Sequence, residues 1–293
     1  MEQHAARPST IPPASRKPTD DEIDIYGLTH PGKVRKANQD HFLIASLRKR
    51  MDIRLTSLTD LQRLPVGEDR IGFLVMVADG VGGGVGGEEA SRFALEQATQ
   101  YVTQSLQCYY EADARGDTFR LLLQQAAERA HATLLEKAES DPELRGMATT
   151  LTLYLGVWPW IYLLQVGDSR YYLYRRGRLT QVSRDQTMGQ ALLDQGVITP
   201  EDLARSPWGH VLASSIGGRQ TEPVVSRLKN DWENVHLFCS DGLTKHVPDQ
   251  RIKERLDTMQ SAKQTCEALL QDALDGGGSD NITVIVGHPV PRA

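Results

Sequence analysis

Residues 71–78 read IGFLVMVA, eight consecutive positions without a charge or a polar side chain, and the next two are Asp79 and Gly80. The run is far too short to cross a bilayer, and its length suits a strand buried on both faces better than a helix. Such a strand delivers Asp79 to a strand end, where the following glycine turns the chain.

The other elements are read against this one. Residues 23–28 and 42–46 have strand character with a polar link at 32–40, while 47–70 lacks clear periodicity and reads as an insertion with a short hairpin. Ala90, Phe93, Ala94, Ala98, Tyr101 and Val102 recur at three- and four-residue spacing, and Phe119, Leu122, Leu123, Ala126, Ala130 and Leu134 repeat the pattern, predicting two amphipathic helices packed side by side. The period then changes. Residues 149–157, 160–166, 170–175 and 178–182 predict four successive strands in an antiparallel meander. Residues 187–196 and 200–205 predict short helices, the second with Thr199 as N-cap and Pro200 at its first position. Strands at 224–228 and 235–239, helices at 248–259 and 261–274, and a closing strand at 281–286 complete the chain. The expected fold class is α/β (α+β): a four-layer sandwich of two antiparallel β-sheets flanked by α-helices on both sides. One domain over 23–289 is expected, behind a flexible tail at 1–22.

Composition removes several classes of function. The 293 residues are 40% hydrophobic and 24% charged, enough for a substantial core and against general disorder. A net charge of −5 gives no dense basic surface for a phosphate backbone, so nucleic acid is not an expected partner. No segment approaches the apolar length of a membrane span, and the N-terminus has no apolar stretch behind its basic residues to act as a secretory signal. Cys108, Cys239 and Cys266 are scattered and odd in number, against a disulfide framework or a thiolate metal site. A soluble, cytoplasmic protein is expected.

Four aspartates adjoin predicted strands at turns: Asp40 in Asn38-Gln39-Asp40, Asp79 before Gly80, Asp241 in Ser240-Asp241-Gly242, and Asp280 before Asn281. Taken singly, an Asp-Gly is usually only a turn. Brought together, such carboxylates repel one another, and hard divalent cations such as magnesium or manganese relieve the repulsion most simply. An oxygen-only set points away from zinc. Two ions sharing a carboxylate sit roughly 3.5–4 Å apart, and a water bridging them is a good nucleophile towards phosphorus.

The ordered set of short segments is more specific than any one of them. Val34-Arg35-Lys36-Ala37-Asn38-Gln39-Asp40, the run VADGVGGGVGGEEAS at 77–91, Gly146-Met147-Ala148-Thr149-Thr150, Val166-Gly167-Asp168-Ser169-Arg170, Ser240-Asp241-Gly242 and Ser279-Asp280-Asn281-Ile282-Thr283 follow one another in a fixed order. In these segments the chain resembles the metal-dependent, 2C-type serine/threonine protein phosphatases, the bacterial branch in particular. The resemblance implies hydrolysis of phosphoserine and phosphothreonine with two manganese or magnesium ions, and a third in some bacterial relatives. By position it implies that Asp79 bridges both metals, Gly80 offers its carbonyl to the second, and Asp241 and Asp280 complete the shell of the first. Asp40 would hold metal-bound water, Arg35 would grip the substrate phosphate, and Asp168 with Asp241 would bind the third metal. For Asp168 a turn in which its carboxylate caps the Ser169 and Arg170 amides is an equal alternative. The resemblance further implies a bacterial signalling role opposing a serine/threonine kinase. Phosphorylated proteins, that kinase and forkhead-associated-domain proteins would be partners, and the chain would be a monomer.

The chain departs from the family pattern at three points. Val81 stands where many eukaryotic members carry a histidine proposed to protonate the leaving oxygen, Gln39 stands where others carry Glu, and residues 210–217 lack a Thr-Arg pair. A substrate-contacting flap is expected between 183 and 209. Rival readings are weaker. Gly82, Gly84 and Gly87 satisfy G-x-G-x-x-G, but a dinucleotide fold needs a second parallel strand where the region around Val102 is still helical. No Lys-Ser or Lys-Thr follows for a P-loop, no H-E-x-x-H exists, and Cys239 lacks a phosphate-binding loop and reads as a core thiol. A catalytically dead relative would have lost a metal carboxylate, and all are present.

Overall fold

The computed structural model describes residues 16–48, 70–82, 86–105 and 116–291. Eleven strands are formed by these residues: β1 (Ile23–His30), β2 (Asp40–Arg48), β3 (Arg70–Val81), β4 (Ala148–Thr149), β5 (Leu151–Val157), β6 (Trp160–Val166), β7 (Arg170–Arg175), β8 (Arg178–Gln181), β9 (Val224–Lys229), β10 (Val235–Cys239) and β11 (Ile282–Pro289). The helices are α1 (Gly86–Gln104), α2 (Gly116–Ser140), α3 (Met188–Asp194), α4 (Pro200–Arg205), α5 (Asp241–Thr244), α6 (Asp249–Asp257) and α7 (Ala262–Asp275). One sheet has the order β1-β11-β10-β7-β8 and the other β2-β3-β5-β6-β9, with β4 on the end of β3. Every pairing is antiparallel, which removes the dinucleotide-binding reading among the described residues.

The apolar run at 71–78 has its explanation in three stacked cores. Leu74, Met76 and Ala78 face α1 and α2, in a core with Leu153, Tyr162, Ala94 and Leu123. Val75 and Val77, alternating with them, face the other sheet and pack with Tyr154, Tyr171, Phe238 and Ile285. The second sheet turns Leu237, Cys239, Val284 and Val286 outward against Ile252, Cys266 and Leu269 of α6 and α7. Helices, sheet, sheet, helices is the expected four-layer order, and a central strand in it has no solvent face. Burying such side chains stabilises by about 1.5–3 kcal/mol each before entropy is counted.

The meander expected from residues 149–182 does not form. β5 and β6 are a hairpin of the larger sheet, whereas β7 and β8 are a hairpin of the smaller one, where β7 pairs with β10. Between them Gly167 takes a φ of +96°, and a Cβ there would lie 2.6 Å from Thr150 Cγ2. The chain crosses from sheet to sheet at this point because only glycine allows that turn so close to β5. Ser169 anchors the crossing through Thr150 Oγ1 at 2.7 Å and by accepting a hydrogen bond on its carbonyl from Thr152 Oγ1 at 2.8 Å.

The tail expected at 1–22 is tied down over its described part. Arg16 pairs with Glu22 at 2.7 Å, Trp232 Nε1 donates to the Arg16 carbonyl, and Val290 N donates to the Glu22 carbonyl. Residues 1–15, most of the expected 47–70 insertion, Gly84 and Cys108 lie outside the described residues.

Candidate active site

β2 begins and β3 ends at the same edge of the larger sheet, so Asp40 stands opposite Asp79 in the ladder. Asp79 is held through its backbone: its N–H donates to Thr150 Oγ1 at 3.0 Å, and its carbonyl accepts from Thr150 N and Thr149 Oγ1, both at 2.9 Å. Gly80 N donates to the Gln39 carbonyl at 3.1 Å, and a Cβ at Gly80 would lie 2.1 Å from the Gly87 carbonyl oxygen. The glycine lets the loop and the start of α1 close directly over the strand end.

The smaller sheet brings the other acids. Asp241 follows β10 and Asp280 precedes β11, its neighbour in the sheet. Asn281 joins this edge to the loop before β2: its Oδ1 accepts from Gln39 N at 2.8 Å, and its Nδ2 donates to the carbonyls of Pro31 and Ala37 at 3.0 and 2.9 Å. A Cβ on Gly242 would lie 1.9 Å from the Asn281 carbonyl oxygen, so the turn after Asp241 also requires glycine. Asp168 lies in the sheet crossing and is buried. Among the described residues no hydrogen bond joins its carboxylate to the amides of Ser169 or Arg170, so the turn-capping alternative is not what the structure contains.

The electrostatics show five carboxylates sharing one cleft. Asp79 keeps a partly accessible surface yet is densely surrounded, and burial first, then the charges of Asp40, Asp241, Asp168 and Asp280, hold its carboxyl well above the usual range. Asp168 is raised in the same way, by burial and then by Asp241. Burial also pushes Asp40 up to about 6, although Ser240 Oγ at 2.6 Å and Thr283 Oγ1 at 2.8 Å both donate to its Oδ2. Its Oδ1 is buried with no partner among the described residues. Burial acts upward on Asp280 too, but hydrogen bonds from Arg35 and Lys245 outweigh it and hold this carboxyl below the usual range.

Among the described residues, Arg35 and Lys245 form ion pairs with these acids. Arg35 lies at the rim, more than half exposed, with Nε 2.7 Å from Asp280 Oδ1 and Nη2 2.9 Å from Oδ2. Lys245 lies between Asp241 and Asp280, and the sequence reading did not single it out. As placed, no three Asp, Glu, His or Cys side chains among the described residues are gathered tightly enough to hold one ion; Asp241 and Asp280 are joined through Lys245 instead. The donor set nonetheless fits hard divalent cations. It is all oxygen, its negative charge exceeds that of its two cations, and Asp40 Oδ1 has an unmet capacity to accept a hydrogen bond.

The structure places Arg35, Asp40, Asp79, Gly80, Asp168, Asp241 and Asp280 at one end of the sandwich. Sequence reasoning missed the supporting residues Ser240, Thr283, Asn281 and Lys245. The first three sit inside the quoted segments, where a hydroxyl or amide beside a carboxylate was the available signal; Lys245 gave only its spacing of four from Asp241. Cys239 is a core residue whose thiol burial pushes up to about 12. The stretch expected as a flap holds α3, α4 and a 3₁₀ turn (Pro207–His210). Gln186 ties its base to the Asp168 turn: its N donates to the Gly167 carbonyl, and its Oε1 accepts from Gly167 N at 2.8 Å.

Known proteins are similar to this chain in sequence and in fold. The family described as Protein phosphatase 2C matches residues 65–276. Arg35, Asp40 and Asp280 lie outside that span. The serine/threonine protein phosphatase PstP of Mycobacterium tuberculosis is 34% identical over 217 residues, covering 74% of this chain and 40% of that protein. The serine/threonine phosphatase stp of Listeria innocua is 30% identical over 217 residues, covering 73% of this chain and 83% of the relative. The catalytic domain of PstP, solved in complex with two manganese ions, superimposes with a TM-score of 0.71 at 30% identity, covering 92% of this chain and 98% of that one. With the family match spanning most of the chain and the same fold in its relatives, the chain belongs to the protein phosphatase 2C family.

Proposed function

We propose that the chain is a metal-dependent protein phosphatase acting on phosphoserine and phosphothreonine. The observation that carries the reading is the convergence of Asp40, Asp79, Asp168, Asp241 and Asp280 from both sheets into one cleft with Arg35 at its rim. Asp79, the Gly80 carbonyl, Asp241 and Asp280 would hold two manganese or magnesium ions, and Asp168 with Asp241 a third. Bound there, such ions supply neutralisation of phosphoryl oxygens and a lowered pKa for water.

The chain's own groups do the rest. Asp40, fixed by Ser240 and Thr283 through one oxygen, presents the other to orient water by accepting its proton in a hydrogen bond. Arg35 offers a planar two-donor fork, now on Asp280, which suits the oxygens of a phosphate monoester and aligns it for in-line displacement. Val81 brings no proton donor to the cleft, so the proton for the leaving alcohol would come from a water or another group. The segment at 183–209 would contact the phosphoprotein.

Phosphorylated proteins are the substrates in this reading. In this reading a serine/threonine kinase and forkhead-associated-domain proteins are the partners, the chain acts as a monomer, and its place is the cytoplasm. The two manganese ions of the PstP domain support the choice of metal. The test is phosphate release from a phosphothreonine peptide with manganese, with chelator, and with Asp79→Ala. Activity in the first arm alone is expected. Release that survives chelation would overturn the reading.

A further inference from the structure

Lys245 follows α5 directly and falls four residues after Asp241, a spacing that folds its side chain back over that aspartate. Its Nζ lies 2.6 Å from Asp241 Oδ2 and 2.7 Å from Asp280 Oδ2. Only 20% of the side chain is exposed, so the ammonium is confined between the two carboxylates. Arg35, the other cation on Asp280, is 56% exposed and can leave by rotating into solvent. We propose that Lys245 is a tethered counter-cation that competes with divalent metal for Asp241 and Asp280 and thereby sets the metal concentration at which the site fills. The proposal rests on reading those two carboxylates as metal ligands.

Lys245 acts with opposite sign on the metal-bound and the metal-free protein. An oxygen 2.6 Å from an ammonium offers a metal one lone pair fewer, and the ammonium, displaced or not, stays close to the incoming divalent charge. Both effects weaken metal binding. Without metal, the same ammonium offsets the repulsion that Asp241 and Asp280 exert on Asp79. One side chain should therefore lower metal affinity and stabilise the metal-free fold. An ordinary ion pair between surface groups would do neither to a measurable extent.

The test compares the wild type with Lys245→Met and Lys245→Gln, the second keeping a hydrogen-bond donor so that one variant folds without metal. Manganese binding to chelator-stripped protein is measured by isothermal titration calorimetry, and melting is followed with chelator and at saturating manganese. Both variants should bind manganese at least about tenfold more tightly than wild type. The chelated forms should melt roughly 3 °C or more below wild type, while the manganese-loaded forms melt with it. Equal or weaker manganese affinity in the variants would overturn the proposal and leave the metal-site reading standing. No manganese binding by any of the three proteins, even at millimolar concentration, would overturn that reading itself.

Discussion

Asp40 and Asp79 face each other across the β2–β3 ladder, two carboxylates in register at the open end of a sheet whose interior is apolar. Their nearness places like charges where neither can be fully hydrated. The arrangement costs folding free energy, a cost that divalent cations bound in the cleft would offset.

Replacing Asp79 by Asn should separate that cost from its use. The backbone contacts to Thr149 and Thr150 remain, while a carboxyl raised by burial and by four neighbouring charges is removed. The chelated variant should melt roughly 3 °C or more above wild type. Manganese-dependent phosphate release should fall more than about 100-fold. A variant that melts lower than wild type would contradict the electrostatic account.

Ser240 is the support of Asp40. Its hydroxyl donates to Asp40 Oδ2 at 2.6 Å and accepts from Thr283 N at 2.9 Å, both in buried surroundings. Ser240→Ala should cost about 1–3 kcal/mol, read from denaturant unfolding, because it strands the buried Thr283 amide and removes one of the two donors to Asp40 Oδ2. Thr283 Oγ1 retains its own bond to Asp40. Phosphatase activity should therefore fall without vanishing.

Two glycines near the site should respond differently to alanine. At Gly242 the added methyl would meet the Asn281 carbonyl oxygen at 1.9 Å, a backbone atom that cannot withdraw. At Gly87 it would meet only the end of the Gln39 side chain, at 2.7 Å, which can swing aside. Gly242→Ala should destabilise by about 2–4 kcal/mol and Gly87→Ala by less than about 1 kcal/mol. Equal losses in thermal denaturation would refute the distinction.

His236 should make the fold acid-sensitive. It is buried between the sheets with its Nδ1 2.9 Å from the Tyr171 hydroxyl, and burial pushes its pKa down to about 3. The unfolded chain takes up a proton below about pH 6.5 while the folded one does not, so stability falls as pH drops from 6.5 towards 3. At pH 5 the loss from this residue is about 2 kcal/mol. His236→Gln, which can still bond Tyr171, should show a smaller fall in melting temperature between pH 7.5 and pH 5 than wild type. Groups common to both proteins cancel in that difference.

Much of this architecture is legible in the sequence. The alternation of Leu74, Met76 and Ala78 with Val75 and Val77 is a local pattern that needs only a strand period to be read. The strands and helices expected along the described chain form within a few residues of the positions predicted. Residues 149–182 failed at the level of pairing, because the partner of β7 is β10, more than fifty residues on, and no local spacing reports it.

The site divides along the same line. The amino-acid sequence alone determined which residue types end the strands, and so supplied Asp40, Asp79, Asp241 and Asp280 as acids at turns. Only the tertiary structure decided that they share a cleft, that Asn281 laces the loop before β2 to the smaller sheet, and that Lys245 lies between two of the acids. Periodicity and turn chemistry are set by neighbours along the chain. The meeting of Asp40 with Ser240, 200 positions apart, is set by how two sheets stack, and that depends on every side chain in the layer between them.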